Sequence, residues 1–215
     1  MAGDRAYEEI YERITSLVNA ENADTAVPTC PGWTVKDVIS HLAGFFAVLE
    51  EHGMKGFDAT WGDDVVKERR ETSLQECVAE WRKRYNRAEE ISTVTISDAL
   101  AHEQDIRNAI GVPGAQDDPN FVHAVQLALT FVGKKMEGTD APSFRVVTDE
   151  IDETLGEGEP VATLRTSTFE LFRALQERRT VDQVQELEWD GDPTSVLDVL
   201  FIFGPTRERV EPTSS

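Results

Sequence analysis

The chain has 215 residues, of which 40% are hydrophobic, and carries 41 acidic against 21 basic side chains for a net charge of −20. That balance excludes a nucleic-acid-binding face, which needs lysine and arginine against phosphate, and disfavours docking on anionic membranes. The length suits one domain, or one domain with a small second one, and no apolar run approaches the roughly eighteen residues of a membrane span.

The opening MAGDRAYEEI is polar and lacks the apolar stretch of a signal peptide, so a cytoplasmic location is expected. Residues 4–21 predict an amphipathic helix, with Ala6, Ile10, Ile14, Leu17 and Val18 at helical spacing. Residues 24–33 read as a loop carrying Pro28 and Pro31. Its Cys30 is either a reactive thiol or an inert loop residue, and no basic partner is visible beside it. Thr34 is predicted to cap the next helix, with Asp37 as its capping-box partner. That helix ends near Gly53, turns Val35, Val38, Ile39, Leu42, Phe45, Phe46 and Leu49 inward, and holds His41 about two turns in. Trp33, just before it, reads as a packing plug rather than a substrate stacker.

Residues 54–70 are rich in glycine and aspartate and are expected to be irregular, with Phe57 and Trp61 as anchors. A connection of that length suggests a lid or a pocket wall. A third helix is predicted over 72–90, with Leu74, Val78, Trp81 and Tyr85 on one stripe and Cys77 as a small apolar residue. A fourth covers 97–110, stopped by Gly111 and Pro113, and a fifth covers 120–136. The last third changes character. FRVVTDEI and VATLRT predict short strands around the turn-rich LGEGEP, and Thr168 is expected to cap a helix over 169–179. A polar helix-like segment, the apolar SVLDVLFIFGP and a polar tail follow. The expected fold class is therefore α+β: an up-down helical bundle over 1–140, then a small α+β domain over 141–215.

Asp98 and His102 stand four residues apart and so share one helix face. With His41 from a second helix they make a three-ligand set with an open position, the layout of a catalytic divalent metal. Spacing alone also permits a packed core histidine at His41 and a dipole-stabilising aspartate at Asp98. His52, eleven residues past His41, lies roughly 16 Å further along the helix and cannot share a metal with it. His123 reads as a partly buried packing residue or a fourth ligand. Asp105 lies on the face of Asp98 and His102, where it either orients a ligand histidine or sits on the surface. Arg107 either holds a substrate carboxylate or pairs with an acid of the protein. Two cysteines make no disulfide framework.

The segments PTCPGWTVKDVISHLAG and DALAHEQDIRNAIGVPG resemble the maleylpyruvate isomerase-like family of mycothiol-dependent enzymes, part of the DinB-like superfamily of metal-binding four-helix bundles. The resemblance covers residues 5–137 well. It extends more weakly to VATLRTSTFELFRALQERRTVDQV, which is similar to the small C-terminal domain of many members. It implies His41, Asp98 and His102 as metal ligands, with Asp98 standing where related enzymes place Glu. Arg178 and Arg179 are similar to the paired arginines of the second domain, with Glu177 where the family usually has Gly; without the resemblance they read as a helix C-terminal pair. A divalent metal, Zn2+ first, is implied, and mycothiol as the thiol cosubstrate. The implied partners are that low-molecular-weight thiol and an electrophilic small molecule, joined or rearranged by a transferase or isomerase. A metal-dependent hydrolase using the same site and a non-catalytic, stress-associated metal-binding module remain open as alternatives.

Overall fold

The computed structural model describes residues 2–57, 60–88, 90–201, 204, 206, 209 and 210. Parts of the predicted segments 54–70, 72–90 and 195–205, and most of the polar tail, therefore lie outside the described residues. The chain divides into two compact units at residues 114 and 115. The sequence placed that boundary near 140, after the fifth predicted helix; in the structure that helix belongs to the second unit.

The first unit holds α1 (Ala2–Leu17), α2 (Val35–His52), α3 (Trp61–Glu68), α4 (Leu74–Tyr85) and α5 (Thr93–Ile110). The four long helices form a bundle in which α2 packs on α4 and α5, and α1 packs on α5. Rings of Tyr7 and Tyr11 from α1 meet Trp81 and Tyr85 from α4, and Trp81 Nε1 donates to Tyr7 Oη at 2.9 Å. α1 ends four residues earlier than predicted because the Asn22 side-chain amide donates to the Leu17 carbonyl at 2.8 Å, a local turn that competes with further helix.

The start of α2 follows the predicted box: Thr34 N donates to Asp37 Oδ2 at 2.9 Å, and Asp37 N donates to Thr34 Oγ1 at 3.3 Å. α4 begins with the same device at Ser73 and Glu76. α5 begins at Thr93 under a Ser92 cap, four residues before the predicted start. The β-branched run Thr93–Ile96 obscures that first turn, because such residues are mediocre helix formers. The helix ends at Gly111 as expected, with Val112 N donating to the Arg107 carbonyl at 3.0 Å.

The segment expected to be irregular contains α3. It is fastened to α2: a Cβ on Gly44 would lie 2.5 Å from Val65 Cβ, so only glycine admits the short helix this closely. Arg69, buried just past α3, donates to Glu80 at 2.8 and 2.9 Å, and Lys36 Nζ donates to the Arg69 carbonyl at 2.6 Å.

The second unit holds α6 (Asn120–Met136), β1 (Phe144–Val147), β2 (Asp152–Leu155), β3 (Ala162–Arg165), α7 (Thr168–Leu175), α8 (Val181–Gln185), β4 (Glu188–Gly191) and α9 (Thr194–Leu200). The sheet is mixed, in the order β2-β1-β3-β4, with β1 and β3 parallel and both edge strands antiparallel. FRVVTDEI is not one strand: Val147 ends β1, and Ile151 closes a turn by accepting from Thr148 N at 2.8 Å. Phe144, Val146, Ala162 and Leu164 are buried with Phe121, Leu171 and Phe172, and α6 packs on α7. Ser167, not Thr168, caps α7. Helices followed by a small mixed sheet with helices make the chain α+β.

Candidate metal centre

α2 and α5 carry the site. His41 points from α2 into the bundle and is 5% exposed. Asp98, His102 and Asp105 project from one face of α5. His41 Nε2 lies 3.3 Å from Asp98 Oδ1, and His102 Nε2 lies 3.7 Å from the same oxygen. One ligand atom from each of these three residues falls within 4.8 Å of the others. Because α5 starts at Thr93, Asp98 stands beyond the first turn, where the helix dipole has little hold on it. Its side chain keeps 22% exposure and is the most open of the three.

His102 Nδ1 faces Asp105 Oδ2 at 3.1 Å, and the Asp105 side chain is fully buried. With the ring proton on Nδ1, this hydrogen bond leaves the Nε2 lone pair directed at Asp98 and His41. Burial alone would push the His102 ring below its ordinary value. The Asp105 hydrogen bond, the Asp98 charge and the Cys30 sulfur outweigh it and raise the ring to about 10. The two carboxylates thus make a field that holds a cation.

The motif before α2 shapes the mouth of the centre. Trp33 N donates to the Cys30 carbonyl at 2.9 Å, closing a β-turn with Pro31 and Gly32 at its centre. Proline first and a glycine at φ +86° second is the pattern of a type II turn. The turn delivers Trp33 against His41, ring centroids 5.0 Å apart, and against His102 at 6.2 Å. Trp61 of α3 covers His41 at 4.5 Å, and Trp33 Nε1 donates to Asp63 Oδ1 at 2.9 Å. Trp33 is therefore more than a plug at the helix start: it is one of two indoles flanking a candidate ligand.

The same turn sets Cys30 Sγ 3.5 Å from Asp105 Oδ2. Sequence reading found no partner for this thiol, because its partners lie on α5. The other predicted residues fall elsewhere. Arg107 donates to Glu103 at 3.0 Å, and Arg13 of α1 holds the same fully buried carboxylate at 2.9 and 2.7 Å. His52 is exposed at the end of α2, and His123, expected to be partly buried, is exposed on α6 in the second unit. Arg178 and Arg179 also lie in the second unit. Arg179 is buried and ion-paired with Glu170 through its Nε and Nη2 edge, and Arg178 Nη1 donates to the Gln176 carbonyl at 2.6 Å. Glu177 adopts φ +64°, the left-handed region that favours glycine, so the turn before Arg178 forms at a strained residue.

Residues 5–101 match the family model of the mycothiol maleylpyruvate isomerase N-terminal domain. The match spans just under half of the chain and makes this part similar to that family. The matched segment includes His41 and Asp98 and stops one residue before His102. No curated protein and no solved structure matches the chain. Among the described residues, no helix is long and apolar enough to cross a membrane.

The donor set fits a divalent metal. Nitrogen and oxygen ligands at about 2.0–2.1 Å around a tetrahedral ion stand about 3.4 Å from one another. His41 to Asp98 at 3.3 Å and His102 to Asp98 at 3.7 Å are near that spacing before any ligand moves.

Proposed function

We propose that the chain is a metal- and mycothiol-dependent enzyme, a transferase or isomerase acting on an electrophilic small molecule. The observation that carries this reading is the convergence of His41, Asp98 and His102 within a unit whose residues 5–101 match the mycothiol maleylpyruvate isomerase N-terminal domain model. Two imidazoles and one carboxylate suit Zn2+ and leave a position open. When bound there, the metal would supply Lewis acidity and lower the pKa of a cosubstrate thiol.

The residues of the chain have separable parts in this reading. His41 and His102 present neutral nitrogens, and Asp98 supplies the single charge of the ligand set. Asp105 holds His102 in one tautomer and one orientation by accepting from Nδ1. Trp33 and Trp61 wall the His41 side with apolar surface, which lowers the local dielectric and strengthens each charge interaction inside. Arg107, bound to Glu103, belongs to the bundle's packing rather than to substrate binding.

Elemental analysis of protein purified without added metal, followed by assays with and without mycothiol, tests the reading. The expected result is close to one divalent ion per chain, lost in His41→Ala, and turnover that depends on the thiol. Metal with thiol-independent hydrolysis would replace it with the hydrolase. Absence of metal after reconstitution would end it.

A further inference from the structure

We propose that Cys30, Asp105 and the Nδ1 edge of His102 form a second cation site, selective for thiophilic ions. It lies on the edge of the His102 ring opposite the one that faces His41 and Asp98. The proposal stands on these residues alone and does not require the first site to be loaded.

The geometry is already close to a coordination sphere. Cys30 Sγ to Asp105 Oδ2 is 3.5 Å, Asp105 Oδ2 to His102 Nδ1 is 3.1 Å, and one ligand atom from each of the three residues lies within 4.8 Å of the others. A tetrahedral ion with sulfur at about 2.3 Å and nitrogen or oxygen at about 2.0–2.1 Å spaces its ligands about 3.4–3.6 Å apart. Shifts of a few tenths of an ångström suffice. Asp105 and His102 are buried on α5, while Cys30 is half-buried on the loop before α2, so an ion approaches from the thiol side. The sulfur is set by the Cys30–Trp33 turn rather than by a free loop end.

Donor chemistry separates the two sites. His41, Asp98 and His102 Nε2 contain no sulfur, whereas the second set has a cysteine sulfur, the donor type that soft cations prefer. Binding replaces the Sγ proton and the Nδ1 proton, both of which pass to the buffer. It also removes the N–H that ties His102 to Asp105. A thiophilic ion on this edge therefore takes the place of that N–H between His102 and Asp105, leaves the remaining ring proton on Nε2, and weakens retention of metal at the first set.

The test uses cadmium alone, titrated into the chelator-treated full chain and followed by the ultraviolet thiolate-to-cadmium charge-transfer band. The band is expected to saturate in the wild type and in His41→Ala. It should be absent in Cys30→Ser and need about tenfold more cadmium in Asp105→Asn. Asp98→Ala serves as the second control where His41→Ala fails to fold by circular dichroism. A wild type that binds cadmium without the band overturns the proposal. So does a band that survives Cys30→Ser, which would place the ion on Cys77. A band lost in folded His41→Ala or Asp98→Ala as fully as in Cys30→Ser would also overturn it, by making Cys30 a ligand of the first set. Loss of zinc in His41→Ala with an unchanged cadmium band separates the two sites.

Discussion

His41 on α2 and Asp98 on α5, 57 residues apart in the chain, bring Nε2 and Oδ1 to 3.3 Å. Only His102, one turn along α5, shares that oxygen at comparable distance among the described ion pairs. His41→Ala and His102→Ala are each expected to abolish metal binding, and His52→Ala to leave it intact, because His52 sits exposed at the far end of α2. Elemental analysis of the three purified variants checks this. Metal lost from His52→Ala as fully as from His41→Ala would contradict the assignment.

Asp105 touches no proposed substrate, yet it sets the orientation of His102. Asp105→Asn preserves volume and removes the charge. Metal affinity should fall by about 10–100-fold, the usual cost of losing such a partner, while the helical circular dichroism stays at the wild-type level. Competition with a chromophoric chelator measures it. An affinity within twofold of wild type would reduce Asp105 to a packing residue.

Much of this centre was readable from the sequence. The i, i+4 pair on α5 and the Thr34–Asp37 box that starts α2 are local patterns, and local patterns survive in sequence. Cys30 was not readable as a partner of Asp105, because 75 residues separate them and only tertiary packing joins them. The same holds for Glu103, whose two arginines come from different helices. α3 was missed because its eight residues carry few apolar positions. β2 and β4, with sequences DETL and EWDG, are polar edge strands of four residues, too short to show alternation. α6 was recognised as a helix, but periodicity does not say which unit a helix joins.

The field around His102 gives a pH dependence. The free ring titrates near 6.5, and in the metal-free fold it is raised to about 10. The charged ring therefore adds stability that is complete below 6.5 and lost as pH rises through about 10. Metal at Nε2 must displace one proton over that window, so its affinity should rise by about tenfold per pH unit between pH 7 and 9. Calorimetry at pH 8 in buffers of different ionisation enthalpy is expected to report about one proton released from His102. A pH-independent affinity would place the metal elsewhere.

Glu103 is fully buried between Arg13 and Arg107 and ties α1 to α5. Glu103→Ala leaves guanidinium groups facing a void, and breaking such a buried pair costs about 3–5 kcal/mol. Since Arg13 keeps 28% exposure and can reach water, the lower end is expected. The denaturant midpoint should drop accordingly. An unchanged midpoint would mean that the triad contributes nothing net.

Gly44 decides how closely α3 lies on α2. A methyl there would meet Val65 Cβ at 2.5 Å, well inside contact, so Gly44→Ala must push α3 outward. Overpacking of this kind costs about 1–3 kcal/mol. The displacement also carries Trp61 away from the His41 ring, which it now meets at 4.5 Å. Stability and the fluorescence of the indoles near the centre should change together, with Trp33 moving less because its own turn holds it. Val65→Ala should not restore the wild-type signal, since alanine keeps the Cβ that clashes. Val65→Gly removes that atom and should restore the fluorescence in the double variant, although the added helix glycine costs about 1 kcal/mol of its own. If Val65→Ala rescued as well as Val65→Gly, the contact would run through the valine methyls, and Gly44 would not be the residue that seats the helix.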